Sequence, residues 1–242
     1  FTASTFHDEA HFAASVFNRP AVFSKSLFGG VARFAGVVTK QSAMFSNVRF
    51  ASAADFSGAT FTQYEDFGGA RFDGDATFSR ASFIALPRTS YEDMDFPQRA
   101  NFDKVTFAQD ADFSKATFTA FVGFRRVTFA GAASFNGTSF EGAYFPGATF
   151  GQRADFRQTS FMYVKPSFED LEERLQTARF SAQADPQDYL FEARLESTHG
   201  FSCGTATLLN RTFVLPLGTV LYDPDSWDEE KQDYTRFSEP AQ

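Results

Sequence analysis

Ala54-Asp55-Phe56-Ser57-Gly58, Ala59-Thr60-Phe61-Thr62-Gln63-Tyr64 and Glu65-Asp66-Phe67-Gly68-Gly69 follow one another without a gap. In each, a phenylalanine comes two residues after a small or acidic one, with a polar residue between them. Small-in, polar-out, large-in is strand alternation over three residues, and the polar or glycine residues that follow make a turn. A helix would need apolar positions three and four apart. A spacing of five and then six walks around a helix instead of marking one face.

The same rhythm runs outward in both directions. Phenylalanine recurs from Phe1 through Phe6, Phe12, Phe17, Phe23, Phe28 and Phe34, and resumes beyond the quoted stretch at Phe72, Phe78 and Phe83. It continues from Phe96 and Phe102 through Phe107, Phe113, Phe118, Phe124, Phe129, Phe135 and Phe140 to Phe161. A fixed short period over two thirds of a chain marks a stacked-repeat fold. One short strand cannot bury its ring alone. Successive coils, hydrogen-bonded about 4.8 Å apart, stack equivalent rings into interior columns. Each buried ring is worth about 1.5–3 kcal/mol against about 1–2 kcal/mol for ordering each residue, so stability accumulates over neighbouring coils. The structural core is therefore Phe56, Phe61, Phe67, Phe72, Phe78, Phe102, Phe107, Phe113 and Phe118.

The units Ala54-Asp55-Phe56-Ser57-Gly58, Ala100-Asn101-Phe102-Asp103-Lys104 and Ala111-Asp112-Phe113-Ser114-Lys115 resemble the pentapeptide-repeat family, whose pattern is A-(D/N)-(L/F)-x-x. The resemblance covers residues 1–161. It implies an all-β solenoid, a right-handed quadrilateral β-helix, and the sixth residue in alternate units implies coils of about 22 residues with two enlarged corners. The family also includes quinolone-resistance proteins that mimic duplex DNA, bind type II topoisomerases and dimerise through C-terminal helices.

Two places break the rhythm. Ile84-Ala85-Leu86-Pro87-Arg88 intrudes after Phe83, and reading Thr89-Ser90-Tyr91 as a unit restores the spacing to Phe96. Pro87 suits a loop because it need not donate to a ladder. Between Phe140 and Phe145 a sixth residue is missing, and Val38-Thr39 stands where a phenylalanine is due.

From residue 162 the sequence changes character. Ser167 with Asp170 reads as a capping box, with Phe168, Leu171, Leu175 and Ala178 on one helical face. A second helix is expected from Asp185 as cap and Pro186 at its first position to about Gly200. This short C-terminal α-helical cap would cover the open end of the solenoid. Thr207 to Tyr222 reads as one or two strands, and residues 223–242 as an acidic, loosely ordered tail. The division is a repeat domain, 1–161, and a C-terminal cap and tail, 162–242. The repeat register at Phe1, with no cap before it, is read as a start that lies upstream, so targeting stays open.

The formal charge is −8, with 22 basic and 30 acidic residues. Basic and acidic residues balance over 1–161, so the excess lies in the tail, while residues 53–112 are locally acidic. That acidic stretch is what keeps a topoisomerase-binding DNA mimic in view. The neutral repeat domain argues against it. No apolar run is long enough to span a membrane, and the lone Cys203 cannot form an internal disulfide.

No catalytic constellation stands out. His7 and His11 fall on adjacent outer sides and read as surface histidines. His199 and Cys203 lack the surroundings of a thiol enzyme, and His199 suits a helix end. Glu65-Asp66 and Glu92-Asp93-Asp95 read as solvated corners without a cation-binding loop. Cofactors are not expected, nor is direct nucleic-acid binding, because exposed aromatics do not interleave with a basic stripe. The function expected is a non-enzymatic protein-interaction scaffold. Its candidate partner contacts are Leu86, Pro87, Arg88, Tyr91, Leu171, Leu175 and Trp227, with a homodimer through the C-terminal helices as an option. The alternatives are the topoisomerase-binding DNA mimic and a structural subunit of a larger, membrane-associated assembly.

Overall fold

A computed structural model describes residues 1–84, 100–169 and 177–242. Almost every strand up to Phe161 is two residues long, and each pairs in parallel with the strand one coil later. Thr5 lies beside Leu27, Leu27 beside Arg49, and Ala54 beside Ala76. Bonds between adjacent coils connect residues 22 apart. The first face is a ladder of nine strands, from Thr5–Phe6 through Arg71–Phe72 and Thr149–Phe150 to Val220–Tyr222. The second has eight, from Ala10–His11 through Ala111–Asp112 to Tyr189–Leu190. The third starts at Val16–Phe17 and the fourth at Ala21–Val22. The long strands Thr117–Gly123 and Ser139–Tyr144 run through the corner between these two faces and join them into one sheet.

The inside is phenylalanine. Phe56, Phe61, Phe67, Phe72, Phe78, Phe102, Phe107 and Phe113 are fully buried, and Phe118 nearly so. Rings of one face stack almost in parallel: Phe56 on Phe78 at 4.9 Å, Phe78 on Phe113 at 4.8 Å, and Phe67 on Phe102 at 4.9 Å. Rings of the second and fourth faces meet edge to face across the axis, as Phe67 and Phe78 do at 5.4 Å and 89°. Offset and perpendicular geometries are those the ring quadrupole favours, so one residue type supplies both kinds of contact.

The alternation of five and six has a backbone cause. In the five-residue corners the residue after the turn donates to the phenylalanine carbonyl, as Val37 does to Phe34, Ala59 to Phe56 and Ala116 to Phe113. The third turn residue has positive φ: Gly36, Gly58 and Lys115 on the second face, Lys25, Asn47 and Gly69 on the fourth. A type II turn demands this of its third residue. The six-residue corners lack that bond and take one more residue to turn.

Three of the four corners never change length up to Phe161. Every departure falls between the third and fourth faces: Phe83 to Phe102 is long, Phe140 to Phe145 is one residue short, and Phe161 to Phe168 is one residue long. The long case has a defined register on either side. Ala100–Asn101 pairs directly with Glu65–Asp66 and Phe102 stacks on Phe67. Phe102 therefore follows Phe83 into the fourth-face column, and the unit read at Thr89-Ser90-Tyr91 falls on residues that are not described. Residues 85–99 themselves lie outside the described residues.

Thr39 interrupts the third-face column. It is fully buried and its hydroxyl has no partner. An unsatisfied buried hydroxyl costs about 1–3 kcal/mol, and valine has nearly the same shape. Thr39→Val should therefore raise the unfolding free energy by about 1–2 kcal/mol, read as a higher denaturant midpoint at unchanged slope.

The C-terminal region departs most from the sequence reading. The expected helix from Asp185 is a single 3-10 turn, Pro186–Asp188. Asp185 does accept from the Gln187 N–H, with proline next in line. The chain then becomes strand Tyr189–Leu190 and pairs with Ala154–Asp155. Tyr189 and Phe191 point inward at strand spacing, while Leu195, one helical turn beyond Phe191, is wholly exposed. The other expected helix falls mainly on residues outside the described ones, Leu171 and Leu175 included. Its described ends are not helical: Ser167 bridges to Tyr144, and Phe168 stacks on Phe145 at 5.1 Å.

Solenoid rungs, a hairpin and the tail form the end of the stack. Arg179–Ser181 and Val220–Tyr222 extend the first face. Phe201 packs edge to face on Phe156 and Phe161. The stretch read as one or two strands holds the end of Cys203–Leu208, then Arg211–Pro216 and Val220–Tyr222. The first two form an antiparallel hairpin whose turn residues Leu209 and Asn210 both have positive φ, as a tight primed turn requires.

The acidic tail is docked, contrary to expectation. Ser238 donates to Leu221, Ala241 to Thr219, and Asp223 to Arg236. Ala241 is buried, as is Asp223, which is paired with Arg236 at 2.6 Å. The tail thus covers the edge of the last first-face rung, the task assigned to helices from sequence.

Candidate interaction surface

The carboxylates come first, because the DNA-mimic expectation rests on them. Where Asp or Asn precedes the phenylalanine, its side chain accepts the backbone N–H two residues on. Asp55 takes Ser57, Asp66 takes Gly68, and Asp112 takes Ser114, while Asn101 does the same for Asp103. This Asx turn is the physical reason for Asp or Asn at that position of the repeat. Other acids tie coils together: Asp103 accepts from the Arg125 N–H, Asp110 from Ala132, and Asp75 from Asp110. Asp73 sits between Arg49 and Arg71. Burial works to raise its pKa, but the two guanidiniums outweigh that and hold it below the ordinary value. Glu65 is buried and accepts from Gln63. Every described acid between 53 and 112 is thus engaged by the chain itself. Glu92, Asp93 and Asp95 lie outside the described residues.

Four exposed apolar side chains lie on the variable corner. Tyr64 precedes the fourth-face strand Glu65–Asp66, Ile84 follows the third-face strand Ser82–Phe83, and Met162 and Tyr163 follow Ser160–Phe161. They are 39%, 37%, 51% and 68% exposed. On the same corner Phe121 covers Gly142, whose Cβ would come within 2.5 Å of the ring, and lies 5.8 Å from Tyr144. Burial pushes the carboxyl of Glu141, also there, above its ordinary value. Sequence reading overlooked this line because each residue alone looks like a corner residue. The available signal was positional: they all occupy the slot between the third and fourth faces.

The other residues singled out from sequence are dispersed. Leu86, Pro87, Arg88 and Tyr91 lie outside the described residues. Trp227 is 42% exposed in a short strand paired with Asp233–Tyr234, its ring 5.1 Å from Tyr234. His11 pairs with Glu9 at 3.3 Å. His199 does not end a helix. It bridges to Phe161, and its Nε2 lies 3.0 Å from the Tyr163 carbonyl. The exposed Cys203 has its thiol pKa raised by desolvation, away from the reactive thiolate. Among the described residues no group of three or more His, Cys, Asp or Glu is placed to hold a metal, and no helix is long and apolar enough to cross a membrane.

The family model described as pentapeptide repeats matches residues 40–82 and 113–160, in nine copies. The chain carries pentapeptide repeats. The matched segments lie on either side of the long excursion of the variable corner, so the pentapeptide-repeat pattern resumes after it in the same stack. No curated protein and no solved structure matches the chain.

Proposed function

We propose that this pentapeptide-repeat protein is a non-enzymatic interaction scaffold, and that the corner between its third and fourth faces binds a protein partner. One observation carries this: the corner that varies in length also carries four exposed large apolar side chains, Tyr64, Ile84, Met162 and Tyr163. Rigid scaffolds carry function on such irregular segments, and exposed aromatic residues are the usual interface anchors. The reading takes residues 1–161 as a right-handed, four-sided body, supported by four strand positions per coil, and 162–242 as its cap.

The test is affinity capture with the full chain and with a Tyr64→Ser, Met162→Ser, Tyr163→Ser variant. The intact protein should retain a stoichiometric partner that the variant releases. A partner held equally by both would remove this corner from the interface.

The topoisomerase-binding DNA mimic draws less support, since its carboxylates already serve turns and coil contacts. Dimerisation through C-terminal helices loses the second helix, which is a strand-forming segment. A supercoiling assay with gyrase should show no protection by micromolar protein. A role as subunit of a membrane-associated assembly has no feature among the described residues to favour it.

A further inference from the structure

The corner between the second and third faces carries a different chemistry. Its third turn residues have positive φ, and successive coils place Ala14, Gly36, Gly58, Arg80, Lys115, Gly137 and Gln158 there. Glycine fills this conformation without strain, while arginine and lysine do not. The strained positions of coils four and five are nevertheless both cationic.

A third cation joins them from the next layer. Arg194 lies back along the ridge, its Nε donating to the Gln158 carbonyl and its Nη2 to the Gly137 carbonyl, both at 2.7 Å. A Cβ at Gly137 would stand 3.3 Å from Lys115 Cγ and 3.6 Å from Arg194 Nη2, so the two cationic chains converge over that glycine. Among the described residues none of Arg80, Lys115 and Arg194 forms an ion pair with a carboxylate. The acid of the same coil, Asp112, is turned to the Ser114 N–H. Convergent like charges without a counter-charge are unfavourable unless an anion joins them.

The ridge is flanked by hydroxyl and amide columns. Ser79, Ser114 and Asn136 line one side, and Ser82, Thr117 and Ser139 the other. No aromatic side chain interrupts either column, so base stacking has no platform. Backbone hydrogen bonds are already taken within the coils, so a peptide cannot add as a strand. Cations between two rows of hydroxyl and amide donors and acceptors fit a chain that carries both anionic groups and many hydroxyls. We propose that this ridge binds an acidic polysaccharide, laid along the solenoid axis with its anionic groups on Arg80, Lys115 and Arg194. This surface is separate from the corner assigned to a protein partner.

The test is binding of the full chain to alginate at low salt, with polyglutamate and duplex DNA as competitors. Arg80→Gly combined with Lys115→Gly removes two cations while relieving backbone strain, so folding should be retained or improved. This pair should weaken alginate binding by at least about tenfold, the loss of two charge-assisted contacts. Lys25→Gly with Lys104→Gly removes equal charge from the opposite tight corner and should change binding less than about twofold. The proposal is overturned if alginate does not bind, if both pairs weaken it equally, or if polyglutamate or DNA competes as well as alginate itself.

Discussion

Replacing Phe113 by alanine should lower the unfolding free energy by about 3–5 kcal/mol. The ring is fully buried and touches five others. It stacks on Phe78 at 4.8 Å and Phe135 at 5.2 Å, and meets Phe102, Phe107 and Phe124 edge to face at 5.3–5.8 Å. Neighbouring coils are held at the β-ladder spacing by backbone bonds above and below, so the cavity cannot close by collapse. The loss should therefore sit at the upper part of the range for large-to-small core changes. Lys115→Ala, two residues on, should change stability by less than about 0.5 kcal/mol, because the side chain is exposed and either residue carries the same Cβ into the same left-handed φ. Denaturant unfolding of both variants decides it, and equal losses would refute the assignment of inside and outside.

Gly131→Ala should cost about 1–3 kcal/mol, although it adds one methyl at a surface corner. The reason is close approach between coils. A Cβ at Gly131 would stand 2.5 Å from the Gln109 carbonyl carbon, and at Gly74 2.7 Å from the backbone of Ser52 and Ala53. Gly30 meets the backbone of Asp8 in the same way at 2.6 Å. These corner residues alternate along the stack: Asp8, Gly30, Ser52, Gly74, Gln109, Gly131, Gln152. Backbone cannot retreat without breaking ladder bonds, so the strain stays local and shows as lost stability. The same change at Gly58, whose Cβ would meet nothing within 4 Å, should cost only the left-handed backbone penalty, on the order of 1 kcal/mol. Equal losses at the two sites would remove close approach as the cause.

The ring columns were legible because one residue type repeats at spacings that only a stacked coil satisfies. The two corner lengths were legible for the same reason. Register across the long excursion was not. Ala100-Asn101-Phe102 is a good unit on either the second or the fourth face, and its pairing with Glu65–Asp66 and the stacking of Phe102 on Phe67 assign it. Asp185-Pro186 starts a 3-10 turn as well as it starts a helix. The deciding signal was the two-residue spacing of Tyr189 and Phe191, which belongs to a strand. The tail's acids looked solvated because their partners, Arg236 for Asp223 and Arg179 for Asp233, come from distant parts of the sequence or the far end of the tail. The candidate surface was half legible. The irregular corner announced itself by broken spacing, while its apolar line emerged only when residues from successive coils were superposed.

The invariance of three corners and the freedom of the fourth make the solenoid a natural display rod. The stack already tolerates a gain or a loss of residues at that one position while the rungs on either side keep their register. Lengthening a loop there adds closure entropy that grows only logarithmically with its length. Foreign peptides grafted at the third-to-fourth corner of several coils would project in one row, at a pitch set by the β-ladder, giving a ruler for spacing binding epitopes a few ångströms apart.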